Sequence, residues 1–389
     1  MAIQRITIEQ FLELAELNPV LDVRSPGEFA HAHITGAYNM PLFTDEERKV
    51  VGTAYKKQNR QDAIKIGLDY FGMKMRKMVV EAEEIISTRQ RAVSKSEHKK
   101  TIAENSTLSI ANCILVHCWR GGMRSAGVAW LLDLYGYKVF TLTGGYKAYR
   151  HWARAQFEKK YLLNIIGGYT GSGKTLVLKE LKEMGKSTIN LEGLANHKGS
   201  AFGALGEEKQ PTQEMFENLL AKELYAISNQ QQALHKSLLS NGTPAPTHDG
   251  KQHFIYVEDE SQRIGLINIP GGFWHQMRSS TISFFDIPFE ERLNYLAEEY
   301  GKFEKEKLVT AVIRIQKRLG GLETKNAVGY LLENNVKECF RILLMYYDKW
   351  YSKGLHNRER LDTLLNKINL PTVNIKSMTN ILINENTPA

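Results

Sequence analysis

The chain has 389 residues, of which 42% are hydrophobic and 24% charged, so it can form the cores of two or three domains. Its three cysteines exclude a disulfide-stabilised scaffold and fit a reducing compartment. No apolar segment approaches the ~20 residues that a membrane-spanning helix needs. Because charged residues also interrupt the N-terminus, at Arg5, Glu9 and Glu13, no signal peptide is predicted. We therefore expect a cytoplasmic protein with no membrane partner.

The formal net charge of +8 is unevenly distributed along the chain. Residues 1–160 hold 24 Lys and Arg against 17 Asp and Glu, whereas residues 161–389 hold 27 against 26. A basic excess of this kind favours a polyanionic partner such as a nucleic acid, and ordinary surface charge explains it equally well. Six cations on two predicted helices form a candidate phosphate-backbone track, namely Lys56, Lys57, Arg60, Lys74, Arg76 and Lys77.

Strands and helices alternate in the first part of the chain, which predicts an α/β domain with a mainly parallel sheet. Ligands bind at the carboxyl ends of the strands in such sheets. The polar segment 85–108 is predicted to be a helix end or a loop. The main predicted strands are 21–24, 113–116 and 137–142, and the main predicted helices are 44–60, 62–79 and 125–134.

One stretch, HCWRGGMRS at residues 117–125, predicts an anion site built around a cysteine. Cys118 follows a predicted buried strand and opens a glycine-containing loop that leads into a helix. The loop N–H groups, the positive helix end and two arginines favour a thiolate and an anion bound beside it. A purely structural cysteine would explain the strand but not the glycines and arginines, which are poor core residues. The candidate nucleophile is Cys118, and the candidate anion ligands are Arg120, Gly121, Gly122 and Arg124.

This cysteine loop by itself is compatible with two chemistries. The HC-x5-R motif that begins at His117 has the spacing of cysteine-dependent phosphatases. The segment 22–24, the turn at 36–37 and the glycine pair at 144–145 are typical of rhodanese-type sulfurtransferases. In both classes a low-pKa cysteine attacks a substrate that loop amides bind, and the difference is whether phosphorus or a chalcogen is attacked.

A phosphate-binding loop follows the next predicted strand, residues 161–167. Residues 168–175, GYTGSGKT, satisfy G-x-x-x-x-G-K-[ST], and a predicted helix, 176–184, comes after them. The glycines let backbone N–H groups surround phosphates, Lys174 neutralises terminal phosphate charge, and Thr175 could hold Mg²⁺. The candidate diphosphate-binding residues are Gly168, Gly171, Ser172, Gly173, Lys174 and Thr175.

Acidic residues follow a later buried strand, 253–257, and are typical of the second acidic element of P-loop enzymes, which positions metal or water. A solvated strand end is the alternative. Before this strand we predict a glycine-rich loop at 192–206, a long helix at 212–240 and a polar loop at 241–252. The aromatic segment 344–351 is interpreted as buried helix rather than as a base-stacking surface. The candidate metal or support residues are Glu258, Asp259 and Arg263.

The predicted architecture therefore has two α/β domains with parallel sheets. Residues 1–155 form the cysteine-loop domain, and residues 156–389 form a P-loop NTPase-like domain with added helices.

Several motifs together resemble one family. The stretches LDVRSPGEF, HITGAYNMP, CWRGGMRS, GGYKAYR, GGYTGSGKT, VEDESQRIG and YYDKWY are similar to those of the tRNA 2-selenouridine synthases, in which a rhodanese-like domain is fused to a P-loop domain. The cysteine loop is one residue longer than in ordinary sulfurtransferases, and a longer loop suits a tetrahedral anion such as selenophosphate.

The resemblance implies a two-step modification of the wobble 2-thiouridine of tRNA. Geranyl diphosphate first geranylates the sulfur, and selenium from selenophosphate then replaces the geranylthio group to give 2-selenouridine. Lys174 and its loop would bind the diphosphate, and Cys118 would act as the nucleophile that handles the chalcogen. Arg24 would orient the cysteine loop and help to bind its anion, and Glu258 would hold Mg²⁺ or support Lys174.

The expected macromolecular partner is the anticodon arm of a tRNA that carries the wobble uridine, and it would meet the basic surplus of residues 1–160. A selenophosphate-producing enzyme is a further expected partner.

Two other functions remain open at this point. A P-loop kinase or ATPase with an appended sulfurtransferase would make 2-thiouridine, and it predicts ATP hydrolysis and a sulfane-sulfur donor. A phosphate-sensing or tRNA-binding module with vestigial catalysis predicts that Cys118→Ala leaves function intact.

Overall fold

The protein is described by a computed structural model that covers residues 3–95, 113–240 and 254–385. The chain divides into two compact units, Met1–Ala155 and Gln156–Ala389. Across the described ranges, no helix combines the length and the apolar character that crossing a membrane requires.

The first unit alternates strands with helices. In chain order its elements are β1 (Gln4–Ile6), α1 (Ile8–Ala15), β2 (Val20–Asp22), α2 (Pro26–His31), β3 (Tyr38–Asn39), α3 (Asp45–Lys57), α4 (Arg60–Ser94), β4 (Cys113–His117), α5 (Met123–Leu134), β5 (Lys138–Leu142) and α6 (Gly145–Gln156).

All strand pairs of the first sheet are parallel, and the strand order is β1-β5-β4-β2-β3. The central strand β4 is buried at every residue, as expected for a strand that helices cover on both faces. In the register of β2 and β4, Asp22 pairs with His117. The segments that follow these strands, with Arg24 and Cys118, therefore leave the sheet at the same edge.

Helix α4 is longer than the predicted helix 62–79 and runs on to Ser94. Its later turns remain helical because Ala82 and Ile86 are buried in the core of the first unit. Arg89 also donates to the carbonyls of Ala15 and Glu16, each at 2.8 Å. Residues 85–94 thus belong to the helix, and residues 96–108 of the predicted polar segment lie outside the described residues.

The second unit contains another parallel sheet and many helices. Its first elements are β6 (Leu163–Gly168), α7 (Lys174–Glu183), β7 (Thr188–Ile189), α8 (Leu191–Ala195), α9 (Gln213–Ser240), β8 (Ile255–Glu258), β9 (Arg263–Ile264), β10 (Ile267–Asn268) and α10 (Gly271–Ser279). They are followed by β11 (Thr281–Asp286), α11 (Phe289–Tyr300), α12 (Lys305–Arg314), α13 (Gln316–Leu319), α14 (Gly321–Leu332), α15 (Val336–His356), α16 (Leu361–Leu364), β12 (Leu365–Asn369) and α17 (Ile375–Glu385).

The strand order of the second sheet is β12-β11-β6-β8-β7, and all its pairs are parallel. The phosphate loop follows the central strand β6, and the acidic segment follows its neighbour β8. Ile166 pairs with Glu258 in this register, so the loop and the acids emerge at one edge of the sheet. The predicted fold class, two α/β units with parallel sheets, is confirmed.

Two details of the second unit differ from prediction. The segment 192–206 is not loop throughout, because the Asn190 side chain accepts the Gly193 N–H at 2.6 Å and caps the short helix α8. The edge strand β12 is not among the predicted elements. Of its five residues only Ile368 is buried, so its pairing with β11 and not its sequence pattern defines it as a strand. The predicted polar loop 241–252 lies outside the described residues.

Candidate active sites

The cysteine loop lies between β4 and α5, and its backbone N–H groups point at the Cys118 sulfur. The Gly122 N–H donates to Cys118 Sγ at 3.3 Å, and the Ser125 Oγ lies 3.2 Å from the same sulfur. Cys118 is 2% exposed, whereas Arg120 and Gly122 are exposed on the loop itself. The sulfur therefore lies beneath the loop, and a substrate must approach it from the loop side.

The environment of Cys118 stabilises its thiolate. Burial raises the pKa of this thiol, but the Ser125 hydroxyl and the N–H groups of Ser125, Arg120 and Gly122 outweigh burial, so the pKa lies below its usual value. Cys339 provides a contrast, because burial without such donors raises its pKa to about 12. Of these buried thiols, Cys118 has the surroundings of a nucleophile.

The turn after β5 holds the cysteine loop in shape. The Tyr146 N–H donates to the Cys118 carbonyl at 2.8 Å, and the Lys147 N–H donates to the Trp119 carbonyl at 3.0 Å. Gly145 has φ +59°, and a Cβ there would lie 2.5 Å from the Gly121 nitrogen. A residue with a side chain would push the two segments apart, which explains the glycine at this position of the GGYKAYR stretch.

Arg24 is buried at 1% exposure and bound to Asp22 through its Nε and Nη2 groups, at distances from 2.6 to 3.0 Å. Its guanidinium also donates to the Ala32 carbonyl and lies 3.8 Å from the centre of the Tyr146 ring. The predicted contact between Arg24 and the anion stays a prediction, and it would have to form beside the existing ion pair with Asp22. Arg24 also packs on Tyr146, whose N–H is hydrogen-bonded to the cysteine loop.

Arg124 also has a carboxylate partner. Its Nη1 lies 2.7 Å from Glu28 Oε2, and Arg48 binds the same carboxylate at 2.8 Å. Burial raises the pKa of Glu28, but the hydrogen bond and charge of Arg124 outweigh it and lower the pKa below its usual value. Arg124 would therefore have to give up Glu28 in order to bind an anion. Arg120, by contrast, is exposed on the loop.

The surface around the cysteine loop combines aromatic, apolar and cationic groups. Trp119 is 38% exposed and Met123 is 53% exposed. Arg60, at the start of α4, reaches the Met123 sulfur at 4.0 Å. Lys56 and Lys57 are exposed in the preceding helix, but Lys74 is not part of this free surface, because it binds Glu47 and the Leu42 carbonyl.

The phosphate loop joins β6 to α7 and has the backbone expected of its motif. Gly171 and Gly173 have φ values of +83° and +77°, a region that favours glycine. Lys174 Nζ donates across the loop to the Gly168 carbonyl at 2.8 Å, and Ser172 Oγ donates to the Tyr169 carbonyl at 2.8 Å. The loop is thus formed, and its lysine is held by a neutral partner.

A group of carboxylates lies beside this loop. The Thr175 hydroxyl donates to Glu192 Oε2 at 3.0 Å, and the Glu192 N–H donates to Glu258 Oε1 at 2.8 Å. Burial and the neighbouring charge of Glu192 raise the pKa of Glu258 to about 8. Burial likewise raises the pKa of Glu192, and burial and the charge of Glu192 raise that of Glu260 well above its usual value. The Glu258 Oε2 atom is buried and has no hydrogen-bond partner among the described residues.

Asp259 and Arg263 have other partners. Asp259 binds Arg358 at 2.5 Å and accepts the Tyr351 hydroxyl at 2.8 Å. Tyr351 in turn accepts the Gly168 N–H at 3.1 Å, so Asp259 supports the start of the phosphate loop through this tyrosine. Arg263 is exposed in the β9–β10 hairpin and donates to the Gly265 carbonyl, so its predicted role as a metal or support residue stays a prediction.

Several residues at the phosphate loop were not identified from the sequence. Arg292 is 3% exposed, donates to the Thr170 carbonyl at 3.0 Å and is bound by both Asp348 oxygens. Asp348 and Tyr351 lie three residues apart on α15, and a spacing of this size places both on one helix face. The YYDKWY stretch, which contains Asp348 and Tyr351, is the sequence feature that could have indicated these two residues. The missed residues are Glu192, Glu260, Arg292, Asp348 and Tyr351.

The two sites define a class of protein. A cysteine loop in a parallel-sheet unit is followed, in the same chain, by a phosphate loop in a second parallel-sheet unit. Residues 7–151 match the sequence model of the rhodanese-like domain, and residues 162–366 match that of the tRNA 2-selenouridine synthase AAA domain.

Curated relatives extend the match over nearly the whole chain. A tRNA 2-selenouridine synthase of Bdellovibrio bacteriovorus is 31% identical over 401 residues, which cover 92% of this chain and 94% of the relative. The same enzyme of a Sulfurovum species is 32% identical, over 86% of this chain and 87% of the relative. That of Hydrogenovibrio crunogenus is 31% identical, over 88% and 90%. The chain belongs to the tRNA 2-selenouridine synthase family, so the resemblance noted in the sequence is confirmed and the protein is an enzyme.

Proposed function

We propose that the protein converts the wobble 2-thiouridine of tRNA to 2-selenouridine through S-geranyl-2-thiouridine, with geranyl diphosphate and selenophosphate as donors. The observation that carries this proposal is the presence of two different anion sites in one chain of this family. One is built around a sulfur whose pKa is lowered, and the other around a lysine in a phosphate loop. Two anionic donors used in turn require two such sites.

The phosphate loop suits the geranylation step. The sulfur of 2-thiouridine forms a bond to C1 of the geranyl group, the C1–O bond breaks, and diphosphate leaves with the bonding electrons. The N3 atom of the uracil ring loses its proton to the solvent. Lys174 and the loop N–H groups stabilise the charge that develops on the leaving diphosphate. Because Lys174 is held by a carbonyl rather than by a carboxylate, it can turn to the diphosphate without breaking an ion pair.

Mg²⁺ would fit beside this loop. The Thr175 hydroxyl and the Glu192 carboxylate supply the oxygen ligands that Mg²⁺ prefers, and the unpartnered Glu258 Oε2 lies in the same carboxylate group. Within the described residues, no set of three or more His, Cys, Asp or Glu side chains is arranged to hold a metal ion by itself. The remaining ligands would come from the diphosphate and water, and the ion would neutralise diphosphate charge when bound.

The cysteine loop suits the selenation step. The Cys118 thiolate forms a bond to C2 of the geranylated uracil ring, the bond from C2 to the geranyl sulfur breaks, and the leaving thiolate takes a proton from the solvent and departs as geranylthiol. The selenium of selenophosphate then forms a bond to C2, and the bond from C2 to the Cys118 sulfur breaks to return the cysteine thiolate. Water then cleaves the Se–P bond and phosphate leaves. The N–H of Gly122, with Arg120 and the Gly121 backbone, would hold the tetrahedral anion. Cys118 would act as the nucleophile of the site.

Exposed groups of the first unit would bind the tRNA. Lys56, Lys57 and Arg60 would meet backbone phosphates, and the exposed Trp119 would stack on the base presented to the cysteine loop. The anticodon arm that carries the wobble uridine is the expected substrate element. One arm must serve both sites in turn, because each step acts on the same uracil ring.

The proposal is tested by product analysis with the full-length protein. Thiolated tRNA is incubated with geranyl diphosphate or with ATP. The masses of its nucleosides are measured by mass spectrometry before and after selenophosphate is added. We expect geranyl-2-thiouridine from the geranyl donor and then 2-selenouridine. Hydrolysis of ATP without a geranylated product would instead favour a sulfurtransferase fused to a nucleotide-hydrolysing domain.

A further inference from the structure

The carboxylate of Glu28 lies beside the cysteine loop, and most of its donors meet one of its two oxygens. The Oε2 atom lies 2.7 Å from Arg124 Nη1 and 2.8 Å from Arg48 Nε. The N–H and the hydroxyl of Ser25 donate to the same atom, each at 3.2 Å. Oε1 has a longer contact, 3.5 Å from Arg124 Nη2. Because a carboxylate oxygen has about two lone pairs, the four donors at Oε2 compete for them.

The contact between α2 and α3 fixes Arg48 beside this carboxylate. Helix α3 begins at Asp45, whose two side-chain oxygens accept the Gly27 N–H of α2 at 3.1 and 3.0 Å. The Thr44 side chain caps the same helix end. Arg48 lies in this capped first turn, so its guanidinium reaches Glu28 independently of the cysteine loop.

Arg124 belongs to the anion site itself. It lies in the first turn of α5, and the next residue is Ser125, whose Oγ lies 3.2 Å from the Cys118 sulfur. A helix N-terminus and a guanidinium in its first turn both attract an anion. The Arg124 side chain is nevertheless bound to Glu28, so an anion must compete with this carboxylate for it.

The charges stay paired if Arg124 changes partner. The Glu28 side chain is only 14% exposed, and an ionised carboxylate in such a position is unfavourable without a cation beside it. When Arg124 turns to an anion, Arg48 and the two Ser25 donors remain at Oε2. Arg124 in turn exchanges one negative partner for another, so neither group loses its counter-charge.

We propose that Glu28 and Arg48 are positioning residues that control anion binding at the cysteine loop. A tetrahedral oxyanion takes Arg124 from Glu28, and Arg48 retains the carboxylate. The guanidinium of Arg124 then binds two oxygens of the anion through parallel N–H groups. This inference rests on the proposed function, because it describes how the site proposed for selenophosphate takes up its anion. Arg48 thereby contributes to anion affinity without contacting the anion.

Protection of Cys118 from alkylation measures this exchange without turnover. The full-length protein is treated with iodoacetamide at one pH and one ionic strength over a range of inorganic phosphate concentrations, and peptide mass spectrometry follows the alkylation of Cys118. Glu28→Gln releases Arg124, so the phosphate concentration for half protection should fall about tenfold. Arg48→Ala leaves Glu28 dependent on Arg124, so this concentration should rise about fivefold. Arg48→Lys keeps a cation beside Glu28 and should restore most of the affinity.

A double variant separates the exchange from a general effect of charge. When Glu28→Gln has made residue 28 neutral, Arg48 has no carboxylate to retain, so adding Arg48→Ala should change the phosphate affinity by less than about twofold. If the full effect of Arg48→Ala persists in this background, the Arg48 charge acts at long range and the inference is overturned. Lys49→Ala is the matched control, because Lys49 is an exposed cation at the next position of α3. It should leave the phosphate affinity unchanged.

Selenation kinetics distinguish a failure of this inference from a failure of the proposed function. In Arg48→Ala the KM for selenophosphate should rise about fivefold while kcat stays within about twofold, because Arg48 acts only while the anion binds. If the unmodified protein forms 2-selenouridine but Glu28→Gln and Arg48→Ala leave phosphate protection unchanged, the exchange is overturned and the proposed function stands. If the expected changes in phosphate affinity occur but no 2-selenouridine forms, the proposed function fails and the exchange stands.

Discussion

The cysteine loop and the phosphate loop occupy the same position in their sheets, but the pKa of the buried ionisable group is lowered at the first and raised at the second. Each follows the central strand of a parallel sheet and leads into a helix. Hydrogen-bond donors surround Cys118 and lower its pKa despite burial, whereas neighbouring carboxylates and burial raise the pKa of Glu258 to about 8. Burial alone therefore does not decide which form of a group is favoured. The polarity of the groups aimed at it decides the direction.

The cations of the two sites also differ in their partners. Arg24 and Arg124 are bound to carboxylates, whereas Lys174 is held by a backbone carbonyl. An anion at the cysteine loop must therefore rely first on loop N–H groups and on Arg120. An anion at the phosphate loop can bind Lys174 at a smaller cost in free energy, because Lys174 gives up a bond to a neutral carbonyl and not an ion pair.

The largest expected effect separates the two sites outright. Cys118→Ala should lower selenation at least about a thousandfold while geranylation stays within about threefold, because only the first site depends on the thiolate. Mass spectrometry of tRNA nucleosides measures both products. Cys113→Ala, which removes another buried thiol of the same unit, is the matched control. Normal 2-selenouridine formation by Cys118→Ala would end the proposed role of this cysteine.

The reciprocal change addresses the phosphate loop. Lys174→Ala should lower geranylation about a hundredfold, because the leaving diphosphate loses its main counter-charge. Selenation of tRNA that already carries the geranyl group should be retained. Lys179→Ala, on an exposed position of the same helix, should leave both steps intact. Undiminished geranyl-2-thiouridine formation by Lys174→Ala would argue against a diphosphate in this loop.

A smaller effect tests the donors around the sulfur. Ser125→Ala removes a hydroxyl that lowers the pKa of Cys118, so the pKa should rise and the thiolate fraction at neutral pH should fall. The selenation rate at neutral pH should drop about tenfold, with the rising limb of its pH profile displaced to higher pH. Alkylation of Cys118 by iodoacetamide across pH measures the shift directly. An unchanged alkylation profile would show that Ser125 does not lower the pKa of Cys118.

The raised pKa of Glu258 predicts a pH effect on stability. Because the folded-state pKa of about 8 exceeds the ordinary value of 4.5, the folded protein holds this proton more tightly than the unfolded chain does. Stability is then lost as pH rises from the lower value through the higher one. Glu258→Gln is neutral throughout and retains an acceptor for the Glu192 N–H. Its Tm should exceed that of the unmodified protein by about 3 °C or more above pH ~8 and match it near pH ~5.

Thermal unfolding followed by fluorescence at several pH values, without diphosphate or Mg²⁺, measures this difference. Glu183→Gln serves as the control, because Glu183 is an exposed carboxylate of the same unit. Parallel Tm profiles for the unmodified protein and Glu258→Gln would show that Glu258 does not carry the effect.

The smallest expected effect concerns tRNA binding by the first unit. Replacing Lys56 and Lys57 with alanine should weaken tRNA binding about threefold per residue and reduce the slope of log affinity against log salt by about one for each lost phosphate contact. Filter binding over a range of salt concentrations measures both quantities. Lys179 and Lys182, exposed in the second unit, form the matched pair of control positions. Equal slopes for the two double variants would place the tRNA elsewhere.

Much of both loops could be predicted from sequence because each is a local motif. The strand before Cys118, the glycines and the helix after it lie within a few residues of one another, and the same holds for the GYTGSGKT loop. The alternation of strands and helices also sufficed to predict the two parallel-sheet units. In each case, the neighbours along the chain determine the backbone conformation.

The partners of the charged side chains could not be predicted in this way. Arg124 meets Glu28, and Arg292 meets Asp348, across separations of 96 and 56 residues. Arg24 lies so close to Asp22 in sequence that its neutralisation by this residue could have been considered, but its burial depends on the packing of the whole unit.

The sequence by itself thus determined the local positions of Cys118 and Lys174. A strand, a glycine turn and the start of a helix specify the path of the backbone over a short distance. Only the tertiary structure decided which carboxylates and aromatic rings surround them. Strand order and helix packing bring together side chains that are remote in the chain, and no local pattern of residues encodes those distances. Tyr351 is the clearest example, because it is hydrogen-bonded to Gly168 across 183 residues.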